Sequence, residues 1–280
     1  VYGFWSASHN IGEAFTFIFI AFVVSMTGWQ FGFLSAGMLG IIGAVLIFIF
    51  LKPFPHDAID GDVFVNRKEI GKKQLSVLKS GTIWLLALSS AFMYISRYAV
   101  NSWGVYYFEV EKHYSIVEAS GLISISSICG IIGTVFSGLL SDKLFRGKRY
   151  IPACLASLMD LIALYLFLYI PDGGKLMDIV AMVLFGISIG ILICYLGGLM
   201  AIDLAPKEAT GAAVGVIGIA SYMAAGIQDI LSGFFIESKK QIIGGVEIID
   251  FSFIRMFWIL SAMVSLLLLI CIYYKHHRRV

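Results

Sequence analysis

The sequence predicts an all-α, polytopic membrane protein, and three observations carry that prediction. The chain is 59% hydrophobic with a mean hydropathy of +0.91, far above the roughly 45–50% apolar content of a soluble domain. Eight apolar stretches are long enough to span, at 1–26, 29–52, 82–108, 115–140, 150–170, 176–203, 209–236 and 251–274. A helix needs about 20 residues to cross a hydrocarbon core of about 30 Å. Charge makes up only 14% of the chain, and most of it lies between the stretches. Helices are the expected form because each satisfies its own backbone hydrogen bonds inside lipid.

The charges also orient the chain. One set of alternating loops holds Lys52, Arg67, Lys68, Lys72, Lys73, Lys79, Lys143, Arg146, Lys148, Arg149, Lys207, Lys275, Arg278 and Arg279. The opposite set holds Lys112, Lys175, Lys239 and Lys240, with Arg255 at the margin of the last span. The positive-inside rule therefore places loops 53–80, 141–149 and 204–208 and the C-terminus in the cytoplasm. Val1 enters an apolar run directly, so the chain is expected to be a fragment preceded by further helices.

The first span carries Trp5, His9 and Glu13 at i, i+4 and i+8, with Ser6 and Asn10 beside that stripe. A lone intramembrane histidine is commonly a hydrogen-bonded interior residue, but an acid one turn away favours binding or proton coupling. The His–Glu spacing alone is no metal site, because no further ligand cluster supports it, and no metal or other cofactor is expected. After the second span, residues 53–80 form the longest polar interruption, with two prolines and a basic cluster. The segment suits a connector between bundles, and its basic cluster could also meet anionic lipid. The expected domains are 1–52 (two helices of a first bundle), 53–80 (central loop), 81–274 (a six-helix bundle) and 275–280 (a tail). Short loops elsewhere imply antiparallel neighbours, and a six-helix unit behind a longer connector is half of a two-bundle transporter plan.

The third span contains Arg97 near its middle. A guanidinium there costs roughly 2.5–3.5 kcal/mol on insertion scales, so it is expected to face a protein-lined cavity. Tyr94, Arg97 and Asn101 share one helical face, with Tyr98 beside them and Trp103 beyond. The guanidinium fork matches phosphate or carboxylate oxygens, and the tyrosines offer hydroxyls and ring surface to an organic body. A structural ion pair with a neighbouring helix is the other reading. In the fourth span Ser120, Ser124 and Ser127 form a stripe, for which bonding back to the helix's own carbonyls is favoured. At its end, Asp142 followed by Arg146, Lys148 and Arg149 reads as topological anchoring and also as an ion-pair latch of one conformation. The seventh span carries Gly218, Tyr222 and Asp229 on one stripe, with Gln228 adjacent; Asp229 lines a pathway or reaches the interface. Cys129, Cys154, Cys194 and Cys271 all lie in spans without CxxC spacing and read as packing residues. The pairs Gly130/Gly133 and Gly186/Gly190, with Gly37/Gly40/Gly43 and Gly211/Gly215/Gly218, have helix-packing spacing.

Four segments are recognisable together: WSASHNIG (Trp5–Gly12), YISR through Trp103 (Tyr94–Trp103), GLLSDKLFRGKR (Gly138–Arg149) and LAPKEATGAAVG (Leu204–Gly215). The third resembles the loop signature of the major facilitator superfamily. The set resembles the organophosphate:phosphate antiporter family, which includes glycerol-3-phosphate and hexose-6-phosphate transporters and a membrane-bound hexose-phosphate sensor. The resemblance covers essentially the whole chain as helices five to twelve. It implies that Arg97 grips substrate phosphate and that His9 is the cavity histidine of helix five. It also implies that Tyr94 and Tyr222 line the substrate, while a partner arginine on helix one lies outside the chain. Three positions depart from the family pattern. Ser102 stands where an acid is common, Ser127 where glycerol-phosphate members have another, and Glu13 where glycine is common. Glu13 is expected to restore that negative charge by pairing with a cavity cation when substrate is absent.

The resulting expectation is alternating-access exchange of an organic phosphate, a sugar phosphate above all, for inorganic phosphate. Arg97, His9, Tyr94, Tyr222, Asn101 and Trp5 would bind substrate, Asp142, Arg146 and Arg149 would gate, and Glu13 and Asp229 would couple. The alternative is a sugar-phosphate sensor that signals to a partner kinase, and a proton-coupled carrier of another anion comes third. No nucleophile–base pair or phosphate-binding glycine loop suggests an enzyme, and no nucleic-acid partner is expected. The expected location is an inner or plasma membrane, with the lipid bilayer as surroundings.

Overall fold

Apolar stretches that cross lipid must close their own backbone hydrogen bonds, and wherever the chain is described the stretches are helical. The computed structural model describes residues 8, 11–12, 15–16, 19–20, 22–24, 26–51, 67–145, 147–170, 174–243 and 246–277. In chain order the elements are α1 (Trp29–Phe50), α2 (Arg67–Leu78), α3 (Gly81–Val110), α4 (Ile116–Leu139), α5 (Tyr150–Tyr169), α6 (Lys175–Cys194), α7 (Thr210–Ser238), the strands β1 (Lys240–Ile243) and β2 (Val246–Ile249), and α8 (Ser252–His277). All of the helices except α2 belong to the seven spans that are long and apolar enough to cross a membrane. The stretch at 1–26 lies mostly outside the described residues.

Two features were not expected from the sequence. The central interruption contains α2, a polar helix at the basic end of the bundle, where Lys73 Nζ meets Glu208 at 3.1 Å. The interval read as a loop at 237–250 contains an antiparallel hairpin with Lys240 opposite Ile249 and Ile243 opposite Val246. Asp250 Oδ1 then accepts from the Ser252 N–H at 2.9 Å, and that backbone hydrogen bond holds its carboxyl below the usual carboxylate range.

Helix α3 is the centre of the packing. Lipid removes the hydrophobic drive between helices, so polar contacts and close approach must hold a bundle together. Ser89 Oγ donates to the Ser265 carbonyl at 3.1 Å and Ser265 Oγ returns to the Ser89 carbonyl at 2.9 Å, which ties α3 to α8. The Ser90 and Ser221 hydroxyls meet at 2.8 Å and tie α3 to α7. Ser96 Oγ donates to Asp160 Oδ2 at 3.0 Å and ties α3 to α5. Such bonds average about 0.6 kcal/mol in membrane helices, so their number and direction matter more than any one of them.

Helices α4 and α6 approach through glycine. A Cβ on Gly186 would overlap the Ser126 carbonyl, one on Gly190 the Gly130 carbonyl, and one on Gly133 the Ile187 carbonyl. Thr134 Oγ1 spans the crossing, donating to Gly130 O at 2.8 Å and lying 3.2 Å from Gly190 O. The other glycine series behave differently. A Cβ at Gly37, Gly40, Gly43, Gly211, Gly215 or Gly218 meets nothing within 4 Å among the described residues. Among the described residues, helix-packing spacing therefore coincides with close packing in α4 and α6 but not in those two series.

The hairpin end is bound by ion pairs. Lys112, assigned by sequence to an exposed loop, is buried at 4% exposure and pairs with the fully buried Asp178. Tyr114 Oη donates to the same carboxylate at 2.8 Å, and the Phe108 and Phe167 rings flank the ammonium at 5.5 and 5.7 Å. Carboxylate, hydroxyl and ring faces take the place of water around the desolvated ammonium. Arg255 pairs with Glu111, and Lys175 with Glu118 at 2.8 Å. Glu118 also closes a capping box with Ser115 at the start of α4.

Two stability outcomes follow. Gly186→Ala is expected to lower the unfolding temperature in detergent, since overpacking costs about 1–3 kcal/mol. Gly121→Ala, where a Cβ meets nothing within 4 Å, should leave it in place. Lys112→Met strands the Asp178 carboxylate and should cost about 3–5 kcal/mol. The double variant Lys112→Met/Asp178→Leu should recover much of that in the same melting measurement.

Candidate functional site

Arg97 lies in α3 beyond the Ser96–Asp160 contact, and the residue is 2% exposed. Its guanidinium carbon sits 5.6 Å from the ring centroids of both Tyr94 and Tyr98, so two aromatic faces offset part of the lost hydration. The Tyr94 ring stacks on Tyr98 at 6.0 Å and meets Tyr222 of α7 edge-on at 5.4 Å. Tyr94 is buried and Tyr222 is 55% exposed, so this aromatic group runs from the packed interior to an open face of the bundle.

Arg97 and Asn101 line a small cavity together with Ser126, Ser127 and Gly130 of α4 and Gly186 of α6. Phe185 and Ile189 complete the wall. Its volume of ≈ 20 Å³ accommodates about one water molecule or one oxygen of a larger anion. Among the described lining residues, Arg97 carries the only charge. The close α4–α6 crossing forms the floor of this cavity, which is why two of the wall residues are glycines.

The sequence-predicted positions divide three ways. Tyr94, Arg97, Asn101 and Tyr222 come together. Asp229 lies on the same helix as Tyr222 and is half-buried, with Oδ1 enclosed and without a hydrogen-bond partner among the described residues. Trp5, His9, Glu13 and Arg146 lie outside the described residues. The serine stripe also divides: Ser124 Oγ bonds back to Ser120 O at 2.8 Å, as expected, whereas Ser127 lines the cavity.

At the basic end, Arg149 finds its carboxylate in Asp203, at 2.7 Å from Nη1, and the same nitrogen donates to Leu199 O at 2.7 Å. Asp142 is exposed and accepts from Ser141 Oγ at 3.2 Å. Arg149 thus pairs with an acid of the α6 end and not with Asp142, the acid expected in the latch. The cause is local. Helix α4 ends in a π turn at Leu140–Leu144, and α6 passes through another at Tyr195–Leu199 before a last helical turn at Met200–Leu204. A π turn disturbs the carbonyl ladder, and Arg149 takes up one of the carbonyls in the second.

Sequence reasoning missed Asp160, which is 1% exposed, with Oδ1 lacking a partner among the described residues. The signal that singles out Arg97, a charge inside an apolar span, is present at Asp160 as well. Asp178 and Asp203 were also missed, since each lies near a span end where charge is unremarkable.

The described chain is thus a bundle of helices long and apolar enough to cross a membrane, with a buried arginine beside a small polar cavity. Residues 1–228 match the family model described as Major Facilitator Superfamily, and the chain belongs to that superfamily. Within it, its relatives are organophosphate transporters and their kin. The chain is 28% identical over 253 residues to the glycerol-3-phosphate transporter of Bacillus subtilis (strain 168), covering 83% of this chain and 56% of that protein. It is 31% identical over 252 residues to a probable hexose phosphate transport protein of Chlamydia pneumoniae, covering 79% and 54%. It is 30% identical over 243 residues to the membrane sensor protein UhpC of Salmonella typhimurium (strain LT2), covering 80% and 54%. The chain spans about half the length of these curated relatives.

Ring faces, not hydroxyls, are what Tyr94 presents to Arg97 in this arrangement. Tyr94→Phe should therefore keep the detergent melting temperature, while Tyr94→Leu should lower it by the equivalent of about 0.5–2 kcal/mol.

Proposed function

We propose that the protein exchanges an organic phosphate, a sugar phosphate, for inorganic phosphate by alternating access. The observation that carries this reading is the guanidinium of Arg97, buried in mid-span between two tyrosine rings and bordering a cavity lined by amide and hydroxyl groups. Such a fork binds a phosphate dianion in two-point fashion. The names of the relatives, which include a hexose-6-phosphate:phosphate antiporter of Salmonella typhimurium, support the same substrate class. The relatives are transporters and a sensor, not enzymes, and exchange needs no bond making. Tyr94, Tyr222 and Asn101 shape the cavity; His9 and Trp5 contribute from the first span, and Glu13 and Asp229 are candidates for coupling. Asp142, Arg146 and Arg149 act at the basic end.

The reading divides the chain into 1–52, a connector at 53–80, a bundle at 81–274 and a tail at 275–280. The loop charges support a multi-pass protein of an inner or plasma membrane with its C-terminus in the cytoplasm. Exchange follows if reorientation of the empty carrier is slow and any suitable dianion speeds it. One observation favours a second reading. The 30% identity to a membrane sensor protein suits a receptor that binds sugar phosphate and signals to a partner kinase.

The test is efflux of labelled phosphate from liposomes containing the full gene product on addition of glucose 6-phosphate. Efflux that requires external sugar phosphate is expected. Arg97→Lys, which keeps charge but loses the fork, should reduce it at least about tenfold, the factor that 1.4 kcal/mol represents. Saturable binding without efflux would replace the carrier by the sensor.

A further inference from the structure

We propose that Ser127 is a substrate ligand: its hydroxyl, beside the Asn101 amide, takes one oxygen of the phosphate group held by Arg97, as an uncharged donor. The inference rests on the phosphate-binding reading above and assigns a residue that lies on a different helix from the arginine.

Four observations converge on Ser127. It is 8% exposed, so its hydroxyl has little access to bulk water. It lines the cavity that Arg97 and Asn101 border. Its neighbours have already committed their protons to the helix: Ser124 Oγ donates to Ser120 O at 2.8 Å and Ser126 Oγ to Ile123 O at 2.7 Å. Ser126 therefore brings only lone pairs to the cavity wall. Ser127, in contrast, has no hydrogen-bond partner among the described residues. Its proton is therefore not committed within the described bundle, and an incoming anionic oxygen gives it an acceptor.

The size and charge of the cavity fit the assignment. At ≈ 20 Å³ it takes a single oxygen and not a whole ester, so the organic body must lie on the Tyr94–Tyr222 side. A neutral donor strengthens binding of a dianion without adding a fixed charge that the empty site must also carry.

The experiment is calorimetric titration of inorganic phosphate into the purified full gene product, comparing wild type with three variants at 127. Ser127→Ala and Ser127→Cys, which remove or weaken the donor, should each raise Kd about tenfold. Ser127→Thr, which keeps the hydroxyl, should stay within about threefold of wild type. Wild-type affinity in Ser127→Ala would overturn the assignment while leaving the phosphate reading intact. A wild-type protein that binds neither phosphate nor glucose 6-phosphate would overturn both. Thermal melts of each variant separate lost binding from lost folding, and the Cys and Thr pair decides the case if Ala unfolds.

Discussion

The burial of one guanidinium in mid-membrane is the constraint around which this bundle is arranged. Arg97 cannot be left to lipid, so α3 is enclosed by α7, α8 and α5, and it holds each of them through a different serine. Ser89 faces α8, Ser90 faces α7 and Ser96 faces α5. Consecutive serines point about 100° apart on a helix, so a short run of them can grip two neighbours at once. The same helix then has a further face free for Tyr94, Arg97 and Asn101. Fixing α3 on three sides is what permits a rigid arginine, because the fork must be held in place if it is to recognise a tetrahedral anion by geometry as well as charge.

The second constraint is the backbone contact between α4 and α6. Gly133, Gly186 and Gly190 let carbonyls of one helix occupy the space where side chains of the other would lie. This contact brings Ser126 and Ser127 close to the α3 arginine while keeping the cavity too narrow for anything but a small polar atom. Helix packing and the shape of the cavity are thereby one feature. A residue larger than glycine at 186 would disturb the α4–α6 distance and the cavity wall together.

Much of this was legible in the sequence. Span lengths gave the helices, the charge inside the third span gave Arg97, and helical spacing gave the Tyr94–Arg97–Asn101 face. What escaped has identifiable physical causes. Periodicity cannot show which of several equally spaced glycine series meets a neighbour, so 130/133 and 186/190 looked no different from 211/215/218. Nor does the positive-inside rule separate a loop lysine from one drawn into the bundle by Asp178 and aromatic rings, so Lys112 looked solvated. The latch at Arg149 was assigned to the acid nearest in sequence, whereas helix α6 delivers Asp203 from 54 residues away. Ser127 was grouped with its stripe because spacing cannot reveal which hydroxyl has already spent its proton on the backbone.

The two ends of the bundle are held with unequal strength, and the inequality has a direction. At the hairpin end a fully buried lysine–aspartate pair is locked by a tyrosine hydroxyl and two rings. Separating such a pair exposes uncompensated charge, a cost on the order of 3–5 kcal/mol. At the basic end, Arg149 and Asp203 are 21% and 42% exposed, and Lys73 and Glu208 are 39% and 48% exposed. Water can replace partners at that exposure, and pairs of this kind contribute about 0–1 kcal/mol. The π turns in α4 and α6 lie at the same end, where the backbone ladder is already irregular. The described pairs at the basic end are therefore each weaker than the buried lysine–aspartate pair at the hairpin end. Arg97 lies between them, close enough to the glycine crossing to feel any change in the α4–α6 angle.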